Sequence, residues 1–298
     1  MTTQRVVVIV NPISGKGGRP ALAQQRIALA AAALKSHGVD GRVAVTERSG
    51  HASLLARAAV ADGASLVIAW GGDGTINEVA SELAFRDVSF AVIPSGSGNG
   101  LARELKIPCD VDRAFGVAFA GTERVIDAGE IEGRLFFNVA GIGLDAEVAH
   151  EFAATGLVRR GFYRYMQIAT RRLLSFSAGE YRIIADGTSS QVRALVIAIA
   201  NGRQYGNGAV IAPASRIDDG RLDVVVVGER SALKALTQIP SLFAGRIALV
   251  PGVTITSVRD VTVESASRMV YHADGEPCEG GTSIRASIRP LALRVRVP

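Results

Sequence analysis

The chain has 298 residues, with 48% hydrophobic and 20% charged residues, so it is long enough for one large or two ordinary domains and too apolar to be disordered. A net charge of +5 suits an anionic partner, although a solvated surface with a small Arg excess gives the same number. Aromatics at 5%, without basic–aromatic interleaving or zinc spacing, argue against nucleic acid. The two cysteines, Cys109 and Cys278, lie far apart in unlike contexts, which fits a reduced cytoplasmic protein.

The N-terminal apolar run, residues 6–10, is shorter than the core of a secretion signal, and no stretch approaches the length of a spanning helix. Membrane contact is therefore expected to be peripheral.

In chain order, residues 6–10 read as a buried strand, followed by a Gly-rich turn and an Ala/Leu-rich helix at 20–36. A strand at 42–46 and a helix at 52–61 follow, then a strand at 65–70, a helix at 75–84 and a strand at 89–93. Continuous apolar strands joined by helices predict a parallel sheet covered on both faces, with ligands at the carboxyl ends of its strands. After residue 122 the pattern becomes short strands between turns, with strands at 135–140, 181–184, 192–200, 222–227, 261–264, 283–288 and 292–297. Turns are expected at 130–133, 185–190, 201–208, 218–220 and 274–281, and helical insertions near 151–176 and 231–243. The expectation is an α/β nucleotide-binding domain at 1–122 and a mainly-β sandwich at 123–298.

Three Gly-rich stretches follow strands of the first domain. Asn11-Pro12-Ile13-Ser14-Gly15-Lys16-Gly17-Gly18 has a Gly-Lys pair but lacks a Walker loop's first Gly and final Ser or Thr. Gly71-Gly72-Asp73-Gly74-Thr75-Ile76-Asn77-Glu78 combines close backbone approach with a helix N-terminus, which suits phosphate. Among phosphates Asp73 makes sense as a contact to Mg2+ or as a proton acceptor; alone it is also an ordinary helix cap. The third stretch, Ser95-Gly96-Ser97-Gly98-Asn99-Gly100, is not a dinucleotide fingerprint. Together the three point to nucleotide binding.

In this order, NPxSGKG, GGDGTxNE and GSGN resemble the diacylglycerol kinase catalytic-domain family, which includes bacterial lipid kinases and sphingosine and ceramide kinases. The similarity continues through 137–147, Gly206-Asn207-Gly208, Ala212-Pro213-Ala214, 219–223 and Asp274-Gly275-Glu276, and so covers essentially the whole chain. The resemblance implies an ATP- and Mg2+-dependent kinase that phosphorylates a hydroxyl of a diacylglycerol-type or sphingoid/ceramide-type lipid, with its active site in the cleft between two domains. It implies nucleotide contacts at Asn11, Ser14, Gly15, Lys16, Thr46, Gly71, Gly72, Gly74, Thr75, Ser97, Gly98 and Asn99, and catalytic carboxylates at Asp73, Asp274 and Glu276. Read from the residues alone, Asp274 and Glu276 are equally a hairpin turn.

Asp145 matches the family position associated with the lipid head group. Asp73 and Asp127 are the candidate metal carboxylates, with Gly100 standing where many diacylglycerol kinases carry an Asp. Arg160 and Arg164, spaced i, i+4, are candidate phosphate contacts, or solvated arginines; Arg171 and Arg172 read as surface or membrane-facing charge. His51 reads as a capping residue. The alternatives are an NAD kinase-like enzyme, which shares GGDGT, and a non-catalytic nucleotide or lipid sensor. The expected partner is a lipid at a membrane surface, and a homodimer is an open alternative to a monomer.

Overall fold

The computed structural model describes residues 5–15, 20–154 and 162–298. They form two units, residues 1–126 with 291–298 and residues 127–290.

The first unit alternates strand and helix. In order come β1 (Arg5–Val10), α1 (Pro20–Ser36), β2 (Asp40–Val45), α2 (His51–Ala61), β3 (Leu66–Gly71), α3 (Asp73–Leu83), β4 (Ser89–Pro94), α4 (Gly100–Glu104) and α5 (Val111–Ala120). β2, β1, β3 and β4 lie side by side in that order, all parallel. Every residue of β3 and β4 is buried, as continuous apolar strands between two helical layers require. Trp70 anchors the core edge-on to Phe115, with ring centroids 5.5 Å apart.

β5 (Thr122–Ile131) carries the chain into the second unit. There β6 (Arg134–Phe136), β7 (Val139–Gly143), α6 (Leu144–Ala154), α7 (Phe162–Ser175), β8 (Gly179–Ala185), β9 (Thr188–Ala200), β10 (Gln204–Gly206), β11 (Ala209–Val210) and β12 (Leu222–Gly228) follow. Next are α8 (Ala232–Phe243), a 3-10 turn (Ile247–Leu249), β13 (Val253–Val258), β14 (Asp260–Glu264), β15 (Val270–Ala273), β16 (Glu276–Glu279) and β17 (Ser283–Val297). Antiparallel pairing runs β16-β15-β7-β9-β8-β14-β17, with β12 also on β9 and β13 on β12. Along β9, Ile197 and Ile199 enter one apolar cluster while Ala198 and Ala200 enter another. Both faces of this strand are covered, as in a sandwich.

The fold class is the expected one, and the differences are local. The region 274–281, expected as a single turn, is a hairpin of β15 and β16 turning at Asp274 and Gly275. The two strands expected at 283–288 and 292–297 are one strand, kinked after Pro290 where Leu291 takes a φ of 54°. At the far end of the chain, Arg294 and Val295 pair in parallel with Ser89 and Phe90 of β4. Residues 291–298 therefore belong with the first unit.

Candidate active site

The parallel register sets Val10 opposite Trp70 and Gly71 opposite Pro94, so β1, β3 and β4 end at one level. The loops that follow them are tied together at once. Asn11 N–H donates to the Trp70 carbonyl and Ser95 N–H to the Gly71 carbonyl, both at 2.9 Å. Asn11 Nδ2 donates to Thr75 Oγ1 at 2.8 Å, and the Ser14 and Ser95 hydroxyls share a bond of 2.6 Å. Thr46 joins the same rim, its N–H on the Val10 carbonyl. Beneath the first loop, the Arg26 guanidinium donates to the carbonyls of Asn11 and Ser14 and to Ser14 Oγ.

The glycines serve this loop-on-loop packing. A Cβ on Gly15 (φ +64°) would stand 2.1 Å from the Ser95 carbonyl oxygen, and one on Gly96 would stand 2.8 Å from Gly72 Cα. Asp73, the first residue of α3, reaches across to the start of α4: Oδ2 accepts from Asn99 N–H at 2.9 Å and Oδ1 from Gly100 N–H at 2.7 Å. It is a helix cap, though of a different helix from its own. Asn99 sits in the left-handed region (φ 50°), with its Oδ1 on Gly96 N–H. Glu78 does for α2 what Asp73 does for α4, accepting from Gly50 and Ala52 N–H. His51 accepts Glu47 N–H through Nδ1, so its ring ties down the loop before α2 rather than capping that helix, whose N-cap residue is Gly50. Asn11, Gly15, Gly72, Gly74, Ser97 and Gly98 remain at least partly exposed at this rim, beside the positive end of α3. That is anion-binding chemistry.

In the second unit Asp274 (φ 48°) makes the β15–β16 turn, and its carboxylate accepts from three successive N–H groups: Phe137 at 2.8 Å, Asn138 at 2.9 Å and Val139 at 3.1 Å. Three of about four acceptor positions on the carboxylate are taken by these bonds. Glu276 opens β16 with its side chain exposed.

One turn of sheet away, Asp145 and His272 face each other while buried, 7% and 4% exposed. His272 Nδ1 accepts from Gly275 N–H at 3.3 Å, so the ring proton sits on Nε2 and is donated to Asp145 Oδ2 at 3.2 Å. Tyr205 donates its hydroxyl to the same oxygen, and Ala146 N–H holds Oδ1 at 2.9 Å. Burial, and then the charge of Asp145, push the Tyr165, Tyr181 and Tyr205 hydroxyls above their usual range. Gly141 makes room for the pair: a Cβ there would lie 1.9 Å from Asp145 Oδ2 and 2.6 Å from His272 Nε2.

Comparison with known proteins matches this layout piece by piece. Residues 5–131 match the diacylglycerol kinase catalytic domain, and residues 138–297 match the YegS C-terminal NAD kinase beta sandwich-like domain. The chain belongs to the diacylglycerol kinase family. Its relatives in that lipid-kinase family include the "Probable lipid kinase YegS-like" protein of Pseudomonas aeruginosa, 32% identical over 276 residues that cover 92% of this chain and 90% of the relative. A diacylglycerol kinase of Mycobacterium tuberculosis is 32% identical over 302 residues, covering 99% and 95%. A crystal structure of a diacylglycerol kinase from Bacillus anthracis shares the fold, with a TM-score of 0.73 at 19% identity, covering 100% of this chain and 98% of that one.

Within this kinase the first unit gathers Asn11, Ser14, Gly15, Thr46, Gly71, Gly72, Asp73, Gly74, Thr75, Ser97, Gly98 and Asn99, as three strand ends in register demand. Asp127, Asp145, Arg164, Asp274 and Glu276 lie in the second unit. Arg164 donates to Gln167 of its own helix at 3.4 Å. Arg171 and Arg172 are surface charges bound to Glu151, and Arg172 also to Glu147. Lys16 and Arg160 lie outside the described residues.

Of the proposed metal carboxylates, Asp73 belongs to the first unit and Asp127 to the second. Among the described residues no group of three or more His, Cys, Asp or Glu is placed to hold a metal ion, and Asp127 is held instead by the protein. Asp127 is 2% exposed and accepts from Gly220 N–H at 2.7 Å, while Asn201 Nδ2 donates to the Asp127 carbonyl. Asn201 Oδ1 and Asn138 Oδ1 are buried without a partner among the described residues. Burial first, and then the charges of Asp223 and Asp127, raise the Asp219 carboxyl above the usual range. Carboxylates and amide oxygens are in general hard donors of the kind Mg2+ takes. His272, Tyr205 and Arg26 were not singled out in the sequence, and Asp219 and Glu78 entered only as members of longer motifs. The signal for His272 was Gly141, a glycine inside a strand, which marks close approach by another group.

Proposed function

We propose that the chain is an ATP-dependent lipid kinase that transfers the γ-phosphoryl group to a hydroxyl of a diacylglycerol-type or sphingoid-type lipid. The observation that supports this most is the rim of the first unit, where three Gly-rich loops end in register and pack backbone on backbone. Asn11, Ser14, Thr46, Gly72, Gly74, Thr75, Ser97 and Gly98 bind the nucleotide there, with backbone N–H groups on phosphate oxygens. Asp73 keeps the second and third loops at their spacing, and the positive end of α3 favours the phosphates.

Mg2+, when bound, neutralises phosphate charge, and Asp127 with Asp219 is the oxygen-rich place this chain offers it. Phosphoryl transfer through a loose transition state asks mainly for positioning and charge neutralisation, and little of a base. A carboxylate committed to three backbone N–H groups is a weak proton acceptor but a rigid one. We therefore place acceptance of the substrate hydroxyl proton on the Asp274–Glu276 turn, with Asp274 fixing the turn and Glu276 exposed on it. Asp145, oriented by His272 and Tyr205, is the lipid head-group contact.

The test is transfer of label from γ-labelled ATP and Mg2+ to diacylglycerol, ceramide, sphingosine or monoacylglycerol in mixed micelles, with NAD assayed in parallel. Label in a lipid supports the reading and identifies the substrate. Label in NAD replaces it with an NAD kinase, and nucleotide binding without any transfer replaces it with a sensor. Asp73→Asn in the same assay should weaken nucleotide binding as well as turnover.

A further inference from the structure

α8 is a twelve-residue helix none of whose residues is buried. Its sequence is nevertheless apolar on one side: Leu233, Leu236, Ile239, Leu242 and Phe243 recur at helical spacing, opposite a stripe of Lys234, Thr237, Gln238 and Ser241. Leu242 packs against the core cluster that contains Val225 and Ile247. Leu233 is 73% exposed, Phe243 44%, and Leu249 on the adjoining 3-10 turn 79%. Isolated exposed apolar side chains need no explanation, but three on one helix and the turn that follows it do.

Charge narrows the choice of partner. From Ser231 to Val258 the sequence has no acidic residue and two cations, Lys234 and Arg246, both exposed. The helix is about 18 Å long at 1.5 Å per residue, far too short to span a bilayer. No helix among the described residues is long and apolar enough to cross a membrane. Apolar residues on one face, cations beside them and no acid within the segment itself make an interfacial element that lies in the plane of an anionic bilayer.

We propose that α8 and the turn to Leu249 form the docking surface by which this chain lies on an anionic lipid bilayer. Leu233, Phe243 and Leu249 enter the acyl boundary, while Lys234 and Arg246 meet anionic head groups. The purpose of this surface rests on the lipid-kinase reading, but its measurement does not.

The full chain is floated with vesicles of phosphatidylcholine alone and of phosphatidylcholine mixed with phosphatidylglycerol. Wild-type protein floats with the mixed vesicles. The pair Leu233→Glu with Leu249→Glu loses at least tenfold in apparent affinity, and the pair Lys234→Glu with Arg246→Glu loses the preference for anionic vesicles. All four positions are exposed, so both variants should melt like the wild type; if the leucine pair does not, the charge pair decides. Turnover of a short-chain, water-soluble substrate should be unchanged in both. Wild-type floatation by either variant pair overturns the docking surface. So does a wild-type dimer that the leucine pair converts to a monomer with vesicle binding intact, since the face would then bind a second copy. Absent turnover in wild-type protein that still floats through this face would count against the kinase reading alone.

Discussion

Replacing Asp274 tests whether the turn it makes is built by its carboxylate. In Asp274→Ala, the N–H groups of Phe137, Asn138 and Val139 lose bonds of 2.8, 2.9 and 3.1 Å to a charged acceptor. Such bonds contribute about 1.5–3 kcal/mol each. The turn is half-buried, so water replaces part of what is lost, and a net cost of about 3–5 kcal/mol is expected. Asp274→Asn keeps one oxygen, able to hold Asn138 and Val139, but turns an amide N–H toward the Phe137 N–H. It should cost about 1.5–3 kcal/mol. For a unit of this size each kcal/mol moves the melting point by about 2–4 °C, so the Ala variant should melt on the order of 10 °C lower. The assay is thermal and urea unfolding of both variants alongside kcat and KM. If Asp274→Ala unfolds within about 0.5 kcal/mol of wild type while kcat collapses, the carboxylate is purely catalytic and this reasoning fails.

Gly15→Ala and Gly38→Ala make a matched pair, with φ of +64° and +63°. Gly38 has nothing within 4 Å of its missing Cβ and should cost only the backbone strain, about 1–2 kcal/mol. Gly15 should cost more in stability and also weaken nucleotide binding, read by calorimetric titration with ATP. His272→Gln can place an amide donor near Nε2, and should raise KM for lipid more than it lowers kcat; His272→Ala should do so further, and equal effects from both would remove the orienting role. Asp186 accepts from the N–H groups of Arg259 and Asp260, which hold its carboxyl below the usual range. Its contribution is therefore present above the unfolded carboxyl's range and lost as pH falls through the folded value. Wild type should lose stability in mild acid, below about pH 4, more steeply than Asp186→Asn, measured by urea midpoints across pH.

Much of the first unit was legible because strand, turn and helix signals recur there without interruption, and the Gly-rich loops fall at strand ends. What the glycines do was not. The sequence suggested close approach to phosphate, whereas Gly15 and Gly96 are required by the neighbouring loops. The second unit was harder to read. β16 is four residues long and contains Pro277, so its sequence looks like a turn. Arg289 and Pro290 look like a break in what is a single strand. The pairing of Asp145 with His272 depends on antiparallel register, His272 opposite Gly141, across well over a hundred residues of chain. Register of that kind is set by tertiary packing and leaves no local trace.

The return of residues 291–298 to the first unit has a consequence for how the chain is made. The strand beside β4 comes from the far end of the sequence, and Phe85 N–H bonds to the Ala292 carbonyl. On the ribosome, the first unit must therefore wait with an open flank beside β4 while all of residues 127–290 emerge and fold. A stop codon near residue 290 would spare the second unit almost entirely and yet leave the first unfinished, so premature termination should first show as instability of the unit that carries the Gly-rich loops.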